Sequence, residues 1–160
     1  MKILGVDPGS RILGIALIDG KAIDLRVLKL DSKLNIFEKL KKIYDEISSI
    51  IREEKPDILA IENAFLAKNP HVAFVLGHVR SAVLIAALNL HTKIYEYNPT
   101  EVKKELTGYG RASKEQVKTM LEKILNIDMG DIPFDASDAL AVAWCHSCIE
   151  NRRIKNVQIQ

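Results

Sequence analysis

The sequence predicts a single mixed α/β domain, and three observations carry that expectation. The chain has 160 residues, close to the modal size of one compact domain with one core. Short β-rich runs alternate with longer segments of helical periodicity. Their order is three strands, helix, strand, helix, strand, then helices. That order implies an antiparallel start passing into parallel βαβ units, a mixed five-stranded sheet with helices on both faces. Apolar residues make up 48% and charged residues 28%, which fits a globular chain and excludes a disordered one.

Each element has its own signal. Residues 2–7 read as a short buried strand, and Pro8-Gly9-Ser10 as the turn after it. Residues 12–18 and 22–30 are β-rich and flank Asp19-Gly20, a hairpin signal. Ile36, Leu40, Ile43, Ile47, Ile50 and Ile51 follow helical spacing, so 35–53 form an amphipathic helix. Pro56-Asp57 closes the loop, and 58–61 form a second buried strand ending on Glu62. A long helix over about 70–88 carries Val72, Val75, Leu76, Val79, Val83 and Ala86 on one side. Lys93 to Tyr97 read as a further strand. Asn98-Pro99-Thr100-Glu101 opens a helix with a capping residue and Pro at its first position. Gly108-Tyr109-Gly110-Arg111 ends it, and Ser113 with Gln116 is a capping box for a helix to about Leu125. The last helix spans about 135–151, within one domain over 1–160 whose residues 152–160 are expected to be a frayed tail.

Charge and cysteines narrow the classes. Twenty-three basic against 21 acidic side chains give a net charge of +2, which neither announces nor excludes a nucleic-acid partner. Cys145 and Cys148 lie three apart without a second ligand pair, on what reads as one helix, so they are expected to pack as small apolar groups. No apolar run is expected to cross a bilayer, and the first residues lack a secretory pattern, so the cytoplasm is the expected location.

The carboxylates are the chemical signal. Asp7 and Glu62 each end an apolar β-run; if those strands are adjacent and parallel, both side chains emerge at the carboxyl edge, where open α/β sheets place ligands. Asp135 and Asp138 are three apart at the start of the last helix and share a face. Taken singly, Asp135 also reads as an N-cap, Asp138 as its partner and Asp7 as a turn residue. As a set beside so much apolar surface, the carboxylates need compensation. Mg²⁺ suits such a set, and two ions about 4 Å apart can assist phosphodiester hydrolysis.

Four segments carry a resemblance. They are Gly5-Val6-Asp7-Pro8-Gly9-Ser10, Ile61 to Asn69 (IENAFLAKN), Val102-Lys103-Lys104 with Gly108 to Val117 (GYGRASKEQV), and Asp135 to Ala141 (DASDALA). Together, in this order and spacing, they resemble the RuvC family of Holliday-junction resolvases. The resemblance implies an RNase H-like fold and a metal-dependent endonuclease that resolves four-way DNA junctions by paired nicks in recombination and repair. It implies Asp7, Glu62, Asp135 and Asp138 as the catalytic and metal-binding residues, with two Mg²⁺ per site and Mn²⁺ as a substitute. It also implies a homodimer working with the RuvA–RuvB branch-migration complex, with no membrane partner.

The basic residues Lys103, Lys104, Arg111, Lys114 and Lys118 read as a solvated helix face or as a DNA surface; the resemblance points to the DNA surface. Phe65 reads as core or as a platform for an unpaired base, and the resemblance favours the platform. Rival classes are sugar-kinase or actin-like ATPases, which need two such domains; a smaller RNase H-like family that differs around Glu62; and a junction-binding module without catalysis, expected to lack a carboxylate. The helix over 70–88, with Gly77, Ser81 and Ala82, is the expected dimer interface.

Overall fold

The computed structural model describes residues 1–63 and 69–158. Among them are five strands: β1 (Lys2–Asp7), β2 (Ile12–Asp19), β3 (Ala22–Lys29), β4 (Ile58–Glu62) and β5 (Lys93–Tyr97). Five helices accompany them: α1 (Ile36–Glu54), α2 (Pro70–Asn89), α3 (Pro99–Thr107), α4 (Lys114–Leu125) and α5 (Phe134–Gln158). The sheet order is β3-β2-β1-β4-β5, with β1–β2 and β2–β3 antiparallel and β1–β4 and β4–β5 parallel. That is the mixed sheet with helices on both faces that the element order implied.

Local chemistry sets the boundaries. The hairpin pairs Asp19 with Ala22, so its loop is Gly20-Lys21, with Gly20 at φ 61°, one residue beyond the Asp19-Gly20 pair singled out in the sequence. Asn35 and Glu38 form a reciprocal capping box at the start of α1, and Ser113 and Gln116 form another at α4. Asn98 precedes α3 as expected but makes no side-chain cap bond; Pro99 presets the first turn instead. Helix α5 runs to Gln158, seven residues past its expected end, with residues 152–156 exposed.

Strand alternation sends side chains to two cores. On one face Leu4, Val6, Leu13, Ile15, Leu59 and Ile61 pack against α1 and α2. On the other, Ile3, Ala16, Ile18, Ile58 and Ala60 pack against α3, α4 and α5. Cys145 belongs to this second core, and burial raises its thiol to about 12, in line with a packing role. Tyr97 and the fully buried His146 share a 2.6 Å hydrogen bond that ties the end of β5 to α5.

Helix α2 qualifies the expectation that no run has bilayer-crossing length. Its twenty residues suffice by length and composition alone, because Arg80 is the one full charge within them. Val79, Ala82, Val83, Ala86 and Ala87 are nevertheless buried against the sheet and α1.

Helix α5 lies unusually close to the sheet. A Cβ on Gly5 would sit 2.2 Å from the Ala139 carbonyl oxygen, and one on Gly14 would sit 1.8 Å from the Asp135 carbonyl oxygen. Both obstacles are backbone, so a side chain at either position would displace the helix. Gly14→Ala should therefore destabilise the fold by about 1–3 kcal/mol or more. Chemical denaturation would measure it, and an unchanged midpoint would show that α5 moves away freely.

Candidate active site

Three carboxylates reach one place because of strand period and register. Asp7 follows Ile3 and Gly5 on the α5 side of β1, and Glu62 follows Ile58 and Ala60 on the same side of β4. The parallel register pairs Val6 with Ile61, so the next step along both strands sets Asp7 beside Glu62 at the carboxyl edge. Asp138, on the first turns of α5, comes down onto this edge through the contact that Gly5 and Gly14 permit. Asp7, Glu62 and Asp138 line one cavity of ≈ 130 Å³ with Lys103 from α3 and Lys114 from α4. Pro99, Val102, Val117 and Ala141 form its apolar wall.

The electrostatics follow from crowding negative charge in a half-buried place. Burial pushes the Asp7 carboxyl up to about 7, and the charges of Glu62 and Asp138 push the same way while Lys114 opposes them. Glu62 is raised by burial and by Asp138, against Lys114 and Lys103. Asp138 is raised by burial and by Asp135, although Lys114 donates a hydrogen bond to its Oδ2. Burial works against the Lys114 charge, but the bond to Asp138 and the charges of Asp7 and Asp135 outweigh it and raise its pKa. One ammonium therefore holds one carboxylate, and the cluster stays short of positive charge.

The other sequence-predicted residues fall in different places. Asp135 is half-buried one turn before Asp138 and outside the cavity lining; its charge acts on Asp7, Asp138 and Lys114. Helix α5 begins at Phe134, so Asp135 stands inside its first turn and not at the N-cap position. Lys104 and Arg111 are exposed on and just beyond α3. Lys118 departs from the expected DNA surface: its ammonium donates to the carbonyls of Gly130 at 3.0 Å and Ile132 at 2.7 Å and lies over the Phe134 ring. It braces the loop ahead of α5. Phe65 lies outside the described residues. Sequence reasoning missed Asn63, directly after Glu62. Its backbone amide donates to the Tyr97 carbonyl at 2.8 Å, while its buried Oδ1 has no partner among the described residues. A single Asn after a strand gives no signal of that kind.

The residues present fit a hard divalent cation. The donors are all carboxylate oxygens, and their raised pKa values report a missing positive charge. Among the described residues no three such groups are already drawn together as a metal cage.

Comparison with known proteins decides the family. The family described as "Crossover junction endodeoxyribonuclease RuvC" matches residues 3–146. The chain belongs to the RuvC family. The crossover junction endodeoxyribonuclease RuvC of Alkaliphilus metalliredigens is 42% identical over 152 residues, covering 92% of this chain and 93% of that protein. The RuvC of Thermosipho melanesiensis is 39% identical over 150 residues, covering 91% and 96%. The structure of Thermus thermophilus RuvC in complex with Holliday junction substrate superposes with a TM-score of 0.83 at 29% identity, covering 92% of this chain and 93% of that one. RuvC membership makes the sheet and its helices an RNase H-like fold and sets aside the ATPase class.

The site makes a prediction about stability without metal. The Asp7 carboxyl titrates at 3.8 when unperturbed and at about 7 in the folded chain. The folded state thus holds the extra proton between those values, and this contribution to stability, complete below pH 3.8, is lost as pH rises through 7. In EDTA at pH 8, Asp7→Asn should therefore be more stable than the parent by roughly 2–4 kcal/mol, with the gap closing toward pH 4. Adding Mg²⁺ should raise the melting temperature of the parent more than that of the variant. A variant less stable than the parent at pH 8 would make Asp7 a structural residue.

Proposed function

We propose that this protein resolves four-way DNA junctions by metal-dependent hydrolysis of opposed phosphodiester bonds. The reading rests above all on Asp7, Glu62 and Asp138 meeting at one sheet edge in a chain of the RuvC family. Mg²⁺ would be held by these three and by Asp135, two ions per site, with Mn²⁺ able to substitute. Bound there, the cation supplies an activated water and charge stabilisation at the leaving oxygen. The chain's own residues do the rest. Asp7, whose carboxyl burial pushes up to about 7, is the group placed to accept a proton at neutral pH. Lys114 fixes Asp138, and it stands with Lys103 as a point charge for the scissile phosphate. Lys104 and Arg111 extend that basic side for the DNA backbone, and Phe65 would stack on an unpaired base at the crossover. The cytoplasm and the RuvA–RuvB branch-migration complex complete this reading.

A two-fold symmetric junction calls for two sites in matching orientation, which an isologous dimer provides. Helix α2 offers the surface. Phe74, Gly77, Ser81, Ile85 and Leu88 recur every three or four residues on its exposed side, with Phe74 67%, Ile85 50% and Leu88 61% exposed. Ala82, expected at this interface, is buried in the core instead, because it sits a quarter-turn away from Ser81.

Asp7→Asn and Asp138→Asn should each bind a synthetic four-way junction at close to the parent's affinity yet make no symmetric nicks with Mg²⁺. Cleavage near the parental rate by either would remove that residue from the site. Replacing Ile85 by Asp should turn a dimer into a monomer by sedimentation at micromolar concentration. A parent that sediments as a monomer with and without junction DNA would refute the dimer.

A further inference from the structure

The sheet edge that carries Asp7 has a second concavity on its other face. The β1–β2 turn, the first turn of α1 and the first turn of α2 enclose a cavity of ≈ 340 Å³. Ser10, Arg11, Lys39 and His71 line it above an apolar floor that includes Ile36 and Val75. Among the described residues no Asp or Glu lines it, and neither Arg11 nor Lys39 has an ion-pair partner. Two cations of α5 are paired, Arg152 with Glu105 at 2.6 Å and Arg153 with Glu150 at 2.7 Å. The comparable groove along the exposed side of α1 mixes Lys41 and Lys42 with Glu38, Asp45 and Glu46, so it carries no net attraction for an anion.

Position gives this concavity its meaning. Ser10 and Arg11 follow Asp7 by three and four residues, on the turn that leaves the catalytic strand. The carboxylate cavity opens on the α5 face of the edge, and the basic one opens on the α1–α2 face of the same edge. Lys103 and Lys114 stand on the first side, Arg11 and Lys39 on the second. A polyanion crossing the edge would meet cations before and after the acidic centre. A short acidic peptide could also satisfy two cations, but it would gain nothing from the neighbouring carboxylates. A sugar–phosphate backbone crosses them because it is there that it is cut.

We propose that Ser10, Arg11, Lys39 and His71 form a second DNA-backbone subsite, which receives the strand after it passes the carboxylate cavity. The assignment rests on the junction-nuclease reading above and adds residues to it on the opposite face of the sheet. Arg11 is suited to bidentate contact with a phosphate and Lys39 to a point charge. Ser10 and the His71 ring supply further hydrogen bonds, and the apolar floor accepts the sugar edge.

The test is the salt dependence of binding, measured by anisotropy with the full chain and a labelled four-way junction in EDTA so that nothing is cut. Removing one cation–phosphate pair lowers the slope of log K against log salt by about 0.9. Arg11→Ala/Lys39→Ala should lower the slope by about 1.8 and weaken binding at every salt concentration. The charge-keeping Arg11→Lys/Lys39→Arg should return most of it. Lys21→Ala/Lys93→Ala removes the same charge from the opposite edge of the sheet and should leave the slope as it was. An unchanged slope in the first variant, or an equal loss in the Lys21/Lys93 control, overturns the subsite. Competition by inorganic phosphate beyond the effect of ionic strength would make it a free-anion site and likewise overturn it. If the parent prefers no junction over plain duplex, the junction reading fails. A groove-specific slope change on duplex would still support the backbone subsite.

Discussion

The close approach of α5 to β1 and β2 is the constraint on which the rest depends. Helices ordinarily pack on sheets with side chains between the backbones, about 10 Å apart. Here Gly5 and Gly14 remove those side chains, and the carbonyls of Ala139 and Asp135 occupy the space. Ala136, Ala139 and Ala143, on the face that meets the sheet, keep the helix side of the contact equally thin. A helix held this near delivers Asp138 to a strand end that already carries Asp7, with Glu62 one strand away. The cost is electrostatic: three carboxylates share a pocket walled by Val102, Val117 and Ala141, and the ammoniums of Lys103 and Lys114 compensate them only in part, leaving Asp7 raised to about 7.

That imbalance links stability to function. A fold optimised for rigidity alone would replace one of these acids with an amide or an apolar group. Retaining all of them leaves a site whose metal-free form is strained by its own charge, and this strain is relieved by whatever brings positive charge. The same logic separates Lys114 from Lys118, which lie one helical turn apart on α4. Lys114 faces the acids and answers them. Lys118 is turned to the carbonyls of Gly130 and Ile132, where it holds the loop that leads into α5.

Much of this was legible in the sequence, for identifiable reasons. Strand ends at Asp7 and Glu62 could be read because apolar runs stop abruptly at a carboxylate. The αβ order followed from periods of two and 3.6. The capping box at Ser113 marks the start of its helix within a residue, since the bonds involved are local; the one at Asn35 emerged only in the structure. What escaped was non-local. The role of Lys118 depends on a loop fourteen residues away in sequence, and the burial of Ala82 depends on which side of an apolar helix meets the sheet. The basic concavity is assembled from positions 10, 11, 39 and 71, whose proximity no spacing rule encodes. The bilayer-length apolarity of α2 also looked different from the sequence, because a single Arg80 interrupts a run that the helix as a whole sustains.

The central claim, that these carboxylates form one undercompensated cluster awaiting a divalent cation, is tested most directly by proton release on metal binding. Calorimetric titration with Mn²⁺ at pH 6.5, in two buffers of different ionisation enthalpy, counts the protons displaced. The account predicts saturable binding that releases protons at this pH, a release that vanishes by pH 9 and is largely lost in Asp7→Asn. Saturable binding with no proton release at either pH would contradict it, as would a release that persists unchanged in Asp7→Asn.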